Sequence, residues 1–204
     1  MFREQIKVLD CTIRDGGLIN NHYFTDEFVR AVYQALSKAG VDYMEFGYRS
    51  SRELFPPEDY GAWKYCEQIE YMVKLYQEHL PGKTIGIHCH NQQQLAYANT
   101  IEGIIHNANY VDGSLYGIGR GPGNCCLELL MGFLKNPKFN LTPILKVIQD
   151  YMIPMRQEIE WGYIIPYFIT GILNEHPRSA IAYRQTEDKD KYAEFYEKMR
   201  LPQE

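Results

Sequence analysis

Four short apolar segments, each followed by a polar turn and a helical pattern, constrain the fold of this chain more than any other feature. They are "IKVLDCTI" (6–13), "VDYMEFGYR" (41–49), "KTIGIHCH" (83–90) and "NYVDGSLYGIG" (109–119). Apolar and β-branched runs of this length that end at loop residues are typical of buried strands. Strands that alternate with helices predict a parallel sheet with right-handed crossovers. The sequence therefore predicts an α/β fold with four parallel strands and flanking helices.

Helical periodicity follows the strands and continues toward the C-terminus. Thr25 is a typical N-cap residue, apolar residues then recur at helical spacing, and Gly40 follows the end of this pattern. Further helical patterns cover 69–80, 91–107, 124–135, 142–161, 162–173 and 188–199. Pro154 is expected to kink or break the helix that contains it. We expect a partial barrel domain of catalytic type at 1–135 and a C-terminal helical extension at 136–204 that packs on it.

The charge and the cysteine pattern exclude several classes of function. A formal net charge of -5 leaves no basic surface field to attract nucleic acid or an anionic membrane. The longest apolar stretches are shorter than the ~20 residues that cross a bilayer, and the first residues lack the apolar core of a secretory signal. Five cysteines without a CxxC pair indicate reduced thiols. We therefore expect a cytoplasmic protein without a nucleic-acid or membrane partner.

Two histidines, His88 and His90, lie one residue apart at the end of the third predicted strand. Alternate residues of a strand face the same way, so the two imidazoles point together while Cys89 points opposite. Imidazole suits divalent transition metals, and Asp15 after the first strand could complete a site of two histidines and one carboxylate. A chance pair of histidines and an aspartate that only stabilises a turn are the alternatives that the pattern leaves open.

Arg14 stands directly before Asp15, at the end of the first strand. Its guanidinium group suits a carboxylate or an enolate oxygen, and its charge does not titrate away. A simple salt bridge to Asp15 or to Glu45 is the alternative interpretation.

The glycine-rich segment "GIGRGPGN" (117–124) follows the fourth strand but does not match a dinucleotide-binding loop. Pro122 stands where the GxGxxG pattern requires a glycine. We expect instead a loop that brings its backbone, at Gly119 and Gly121, and the Asn124 side chain close to a ligand. The amide oxygen of asparagine can bind a divalent metal.

The motifs "LDCTIRDGG", "GIHCHNQQQLAYAN" and "GIGRGPGN" together resemble a superfamily of metal-dependent TIM barrels that includes HMG-CoA lyase-like and 4-hydroxy-2-oxovalerate aldolase-like enzymes. The resemblance implies a divalent metal bound by Asp15, His88 and His90, with Asn124 as a further ligand. It also implies that Arg14 polarises the substrate carbonyl and holds the enolate. Manganese or magnesium is favoured for such a site, with zinc and cobalt as alternatives.

The function that the resemblance implies is a divalent-metal-dependent aldolase or lyase that cleaves or forms a carbon–carbon bond next to a small 2-oxo acid. Pyruvate-forming members place a histidine three residues after the metal aspartate, where this chain has Leu18, so His22 is the nearby candidate for proton transfer. Acyl-CoA lyases carry a cysteine in the loop before the asparagine, whereas Cys125 and Cys126 follow it here. A catalytically inactive metal-binding or partner-binding remnant and a Claisen-type acyl-CoA synthase are the alternatives.

The number of strands does not suffice for a closed barrel. A TIM barrel has eight βα units in ~250 residues. The resemblance to the family runs to about residue 65 and resumes near residue 68, so this chain has no segment that corresponds to the family's strands three to six. The sequence therefore predicts a truncated, half TIM barrel in which the remaining strands stay neighbours, in the order 2-1-4-3. An open arc is expected to expose apolar interior positions and two sheet edges, which favours self-association as a homodimer.

Overall fold

The computed structural model describes residues 3–21, 23–45, 66–79 and 82–201. Within these ranges four strands pair in parallel into one sheet of order β2-β1-β4-β3. The strands are β1 (Lys7–Asp10), β2 (Tyr43–Met44), β3 (Gly86–Ile87) and β4 (Tyr110–Gly113). The α/β class, the parallel pairing and the strand order predicted from the sequence are confirmed, and the architecture is that of a partial TIM barrel.

Helices follow each strand and continue beyond the last one. They are α1 (Asp26–Ala39), α2 (Cys66–His79), α3 (Ala96–Ile105), α4 (Leu127–Leu134), α5 (Leu141–Val147), α6 (Ile153–Glu158), α7 (Ile165–Ile172), α8 (Arg178–Tyr183) and α9 (Tyr192–Arg200). Short 3-10 turns at Gly16–Ile19 and Leu115–Gly117 follow β1 and β4. The sequence did not predict α8, and residues 46–49 of the second predicted strand lie outside the described residues.

Helix α1 has the boundaries that its end residues predict. The Thr25 side chain accepts a hydrogen bond from the Phe28 backbone N–H at 3.2 Å, which satisfies one of the unpaired donors of the first turn. Gly40 ends the helix in the left-handed conformation with φ at 78°, where glycine avoids the steric cost of a side chain. Phe28, Val32 and Leu36 on one face are buried against the sheet layer.

Of the predicted kink or break at Pro154, the structure shows no break in the helical path but a loss of α-helical geometry directly before the proline. A π-helical section, Ile148–Met152, joins α5 to α6 directly before the proline. Proline lacks an N–H, and its ring collides with the carbonyl four residues earlier in an α-helix. A wider π turn relieves that collision, so the helical path continues to Glu158.

One face of the sheet is covered by helices and forms the main core. Val8 of β1 and Val111 of β4 are fully buried there, together with Ile104 of α3. The same cluster extends through α5 to Trp161, while α7, α8 and α9 pack around a second cluster that contains Tyr167 and Phe195. The domain boundary between 135 and 136 stays a prediction.

The opposite face of the sheet carries polar and amphipathic side chains. Asp112 and Tyr43 flank Leu9 in register, and Tyr110 is opposite Lys7. The Tyr43 side chain is 48% exposed and that of Lys7 is 41% exposed. Leu9 is the half-buried apolar residue of this face. At Lys7, Tyr43, Tyr110 and Asp112 the expectation of an apolar interior face is wrong, because these side chains have polar tips.

None of the helices in the described ranges combines the length and the apolar character that crossing a membrane requires. Cys11, Cys89 and Cys125 are buried free thiols, and Cys126 is a half-buried one. Free thiols are what the cysteine pattern indicates, whereas the cytoplasmic location stays a prediction.

Gly40→Ala is expected to lower the free energy of unfolding by about 2 kcal/mol or more, because a non-glycine residue in this conformation is strained by roughly 1–3 kcal/mol. The new Cβ would also lie 2.4 Å from the Lys138 carbonyl oxygen. Gly132→Ala in α4 is the matched control, since a Cβ there has no neighbour within 4 Å and alanine favours a helix. Urea unfolding of both variants measures the difference, and equal stability would contradict the described role of Gly40.

Candidate metal centre

Asp15 lies in the tight turn after β1, and its carboxylate is held on two sides. Arg14 Nη1 donates to its Oδ1 at 2.9 Å, and Asn124 Nδ2 donates to its Oδ2 at 2.8 Å. A Cβ on the next residue, Gly16, would lie 2.8 Å from Ile118 Cγ2. Glycine at this position therefore lets the turn approach the glycine-rich loop, and Asp15 is only 4% exposed.

His88 and His90 follow β3 with their rings on the same side, 4.9 Å apart between centroids. His88 Nε2 lies 3.6 Å from Asp15 Oδ2. One ligand atom from each of Asp15, His88 and His90 lies within 4.8 Å of the others. The structure thus brings together the three residues that the sequence analysis chose, namely two alternate residues after one strand and an aspartate after another. Their role as metal ligands stays a prediction.

Asn124 contributes a buried oxygen next to this group. Its Nδ2 donates to Asp15 and to the Ile118 carbonyl oxygen, whereas its Oδ1 is buried and accepts no hydrogen bond from the described residues. A buried acceptor without a donor is costly. A divalent cation held by Asp15 and the two histidines would satisfy it, so the donor set fits a hard or borderline cation.

The carboxylates and imidazoles of the site shift one another's pKa values. Burial alone would raise the pKa of Asp15, but the His88 and His90 imidazoles and the Asn124 amide hold it well below its usual value. Burial alone would lower the pKa of His88, but the Asp112 and Asp15 carboxylates raise it to about 12. Burial and the charge of His88 lower the pKa of His90. The carboxylate is therefore in the ionised form that metal binding requires.

Asp112 is a functional candidate that the sequence reasoning missed. It lies in β4, and its Oδ2 is 3.4 Å from His88 Nδ1. Metal-binding histidines commonly use their second ring nitrogen to bond a carboxylate, which orients the ring. Asp112 therefore directs His88 Nε2 toward Asp15. An acid inside an apolar strand was the available signal, but its meaning depends on strand register.

Asp10 is a second buried carboxylate, on the helix-covered side of β1. It accepts hydrogen bonds from the Thr12 backbone N–H and hydroxyl, and the Thr12 hydroxyl in turn accepts from the Leu115 N–H at 2.8 Å. Burial raises the pKa of Asp10 to about 7. This chain of bonds ties the end of β1 to the loop after β4 and so supports the position of Asp15.

Arg14 lies beside the site with both of the contacts considered from the sequence. Besides Asp15, its Nε lies 3.7 Å from Glu45 Oε2, and its side chain is 37% exposed. Arg14 therefore forms the salt bridge to Asp15, and a longer one to Glu45, that the alternative interpretation expected.

The glycine-rich loop is shaped around Asn124. A Cβ on Gly119 would lie 2.9 Å from Asn124 Nδ2, and Gly121, with φ at 60°, packs on the Tyr167 ring. These glycines thus position the asparagine, and their substrate-binding role stays a prediction. His22 lies outside the described residues.

The HMGL-like family model matches residues 59–150. Just under half of the chain is therefore similar to this family. The chain is 31% identical over 133 residues to oxaloacetate decarboxylase of Mycobacterium tuberculosis. The aligned segment covers 65% of this chain and 35% of that protein. It is 28% identical over 144 residues to 4-hydroxy-2-oxovalerate aldolase of Thermus thermophilus, 69% of this chain and 38% of that enzyme.

A 2-isopropylmalate synthase of Parabacteroides distasonis is 28% identical over 139 residues, which cover 67% of this chain and 25% of that enzyme. The chain therefore spans well under half the length of these curated relatives. Among solved structures, the N-terminal domain of a proposed aldolase from Bacteroides vulgatus superimposes with a TM-score of 0.66 at 18% identity. The match covers 92% of this chain and all of that domain, so the two share a fold.

A second group of ligand-type side chains lies between α2 and α3. The ligand atoms of Glu70, Glu102 and His106 also lie within 4.8 Å of one another. Glu102 Oε1 and His106 Nε2 form a hydrogen bond at 2.8 Å, and Lys74 pairs with Glu70. This second cluster lies on helices, away from the strand ends, and offers an internal control for metal binding.

Asp15→Ala and His88→Ala are each expected to lower the affinity for Mn²⁺ by more than about 100-fold. Removal of a residue that only supports a metal ligand costs up to about 100-fold, and removal of a ligand itself should cost more. Each variant deletes one of the three side chains that would hold the ion. Calorimetry and electron paramagnetic resonance of Mn²⁺ measure the affinity, with His106→Ala as the control that retains it. Loss of binding in His106→Ala with retention in His88→Ala would place the ion at the second cluster instead.

Proposed function

We propose that this chain binds one divalent cation through Asp15, His88, His90 and Asn124 and acts as a carbon–carbon lyase on a small 2-oxo acid. The observation that carries the proposal is the convergence of a buried carboxylate and two imidazoles within 4.8 Å. Two nitrogen and two oxygen donors suit manganese or magnesium, with zinc and cobalt as alternatives.

Two of the similar enzymes are named for reactions that share one step. Decarboxylation of oxaloacetate and aldol cleavage of 4-hydroxy-2-oxovalerate both break the bond between the third and fourth carbons of a 2-oxo acid. Both reactions leave the enolate of pyruvate, with carbon dioxide or an aldehyde as the other product. A divalent cation supplies Lewis-acid polarisation for this chemistry when it is bound. Pyruvate release is therefore the activity that we propose for this chain.

The residues of this chain have separate tasks in such a reaction. Arg14, held by Asp15 and Glu45, provides a fixed positive charge and N–H donors for the oxygen on which enolate charge develops. Asp112 holds the His88 ring in place through Nδ1. His22 is the candidate for proton transfer to the enolate carbon, as the family resemblance implies.

One observation favours the alternative of an inactive metal-binding or partner-binding remnant. In the described part of the chain the sheet has four strands rather than the eight of a closed barrel, so it leaves the site without a strand wall on one side. The Claisen-type alternative rests on the similarity to 2-isopropylmalate synthase. Such a reaction consumes an acyl-CoA, which distinguishes it from pyruvate release.

Self-association is part of the proposal, because a second copy could provide the missing wall. The face of the sheet opposite the main core carries Lys7, Tyr43, Tyr110 and Asp112, so we expect a polar, hydrated interface rather than an apolar one. The mass in solution, measured by light scattering, decides this point, and a stable monomer would rule the dimer out.

The proposed activity is tested with Mn²⁺-loaded protein, oxaloacetate and a panel of 4-hydroxy-2-oxo acids. Pyruvate release above the rate with free Mn²⁺ is expected for the wild type and for His106→Ala, and is expected to vanish in Asp15→Ala and His88→Ala. Arg14→Lys is expected to lower kcat by about 10–100-fold, since a donor to a developing oxyanion is displaced.

Mn²⁺ binding without pyruvate release from any of these substrates would contradict the lyase and favour the remnant. Release of free thiol from acetyl-CoA in the presence of a 2-oxo acid would indicate the Claisen-type synthase. The coupled assay with lactate dehydrogenase and NADH follows pyruvate directly.

A further inference from the structure

Arg156, in α6, lies over two aromatic rings. Its guanidinium carbon is 5.2 Å from the centroid of the Tyr116 ring and 5.7 Å from the centroid of the Trp161 ring. The two rings meet edge to face, with an angle of 89° between their planes. A guanidinium group over an aromatic ring is attracted by the electrons of the ring face. The position of this positive charge is therefore restricted, although the side chain is exposed.

The two rings are themselves held by hydrogen bonds to the backbone around the glycine-rich loop. Trp161 Nε1 donates to the Tyr116 carbonyl at 3.1 Å, and Gly162 N–H donates to the Gly121 carbonyl at 3.0 Å. A Cβ on Gly162 would lie 3.1 Å from Arg156 Nη2, so glycine at this position leaves room for the arginine. Arg156 is thus packed on a framework that the indole of Trp161 and the loop backbone hold together.

A cavity of about 310 Å³ lies beside this framework, bordered by residues 156–161 and Ile164. This volume is at the lower end of the range for small-molecule sites, which begins at about 300 Å³. Arg156, Glu158 and Glu160 provide charged groups to its lining, and Ile159 and Ile164 provide apolar ones. The proposed metal ligands are not among the lining residues, so the cavity is separate from the metal centre.

The charges of the cavity differ in how far they are compensated. Both oxygens of Glu160 accept from Arg184, whose Nε lies 2.9 Å from Oε1 and whose Nη2 lies 2.6 Å from Oε2. Within the described ranges, Arg156 contacts the two rings but forms no ion pair. Glu158 also forms none there, but it is the exposed last residue of α6, where water solvates its carboxylate. Arg156 is therefore the uncompensated charge that the structure holds in a fixed place.

We propose that this cavity binds a small organic acid, with the carboxylate of the ligand on Arg156 and its apolar part against Ile159 and Ile164. A guanidinium group binds a carboxylate through two parallel hydrogen bonds from its edge, and a group that lies over a ring keeps its edge available for them. The site does not depend on the proposed reaction, since it shares no residue with the metal centre.

The test compares three ligands of equal length that differ in charge, namely butanoate, butanamide and butylamine. Nuclear magnetic resonance of the full chain with Mg²⁺ follows the indole N–H signal of Trp161, which Trp63→Phe distinguishes from the signal of the second tryptophan. We expect butanoate to shift this signal saturably and to bind about five- to tenfold tighter than butanamide, the range of a partly exposed charge-assisted hydrogen bond. Butylamine is expected to bind more weakly than both.

Arg156→Gln should remove the preference for butanoate over butanamide, and Arg156→Lys should keep part of it. Glu158→Gln should raise the affinity for butanoate by about twofold, because it removes a like charge from the lining. Arg30→Gln, an exposed arginine on α1, is the matched control that should leave both affinities unchanged. These readouts are affinities at the cavity, so they stay valid whether or not the chain releases pyruvate.

No saturable shift of the Trp161 signal with butanoate would overturn the proposal, as would equal binding of butanoate and butanamide. Tighter binding of butylamine would assign the cavity to cations instead. The same preference for butanoate in Arg156→Gln and in the wild type would show that the carboxylate lies elsewhere and would also overturn the site.

Discussion

The parallel pairing of β1 with β4 is the interaction on which the site depends. Lys7–Asp10 lie in register with Tyr110–Gly113, so the loops after the two strands emerge side by side. Asp15 and Asn124, 109 residues apart in the sequence, thereby come within 2.8 Å of each other. The adjacent strand β3 then delivers both histidines to the same end of the sheet. A shift of this register would move the carboxylate away from the imidazoles.

Local rules were sufficient where a single element decides the geometry. The period of two along a strand correctly placed His88 and His90 on one side, and Thr25 and Gly40 marked the ends of α1. Asp112 escaped prediction because its contact with His88 depends on the register of β4 against β3, which the predicted strand order does not give. No short-range pattern carries that information.

Tertiary contacts also override local propensity after β3. The helix expected from residue 91 begins only at Ala96, because the Asn91 side chain accepts a hydrogen bond from the Ala96 N–H. The Gln92 and Gln93 amides meanwhile bond backbone carbonyls near α7. A helical pattern in the sequence cannot show that residues 91–95 form hydrogen bonds to a distant segment instead of the first turn of the helix.

The face of the sheet opposite the main core shows how the described part of this chain differs from a closed barrel. A closed barrel fills its interior with branched apolar side chains, whereas here Lys7, Tyr43 and Asp112 line the corresponding face. Such side chains tolerate water, so half a barrel can keep the strand ends in place without the other half.

The central claim is that Asp15, His88, His90 and Asn124 share one cation. Crystals grown with Mn²⁺ and measured on either side of the manganese absorption edge locate the ion through its anomalous signal. The account predicts one strong peak bonded to the Asp15 carboxylate, both imidazoles and the Asn124 Oδ1. A peak only between α2 and α3, or no peak at the strand ends at saturating Mn²⁺, would contradict it.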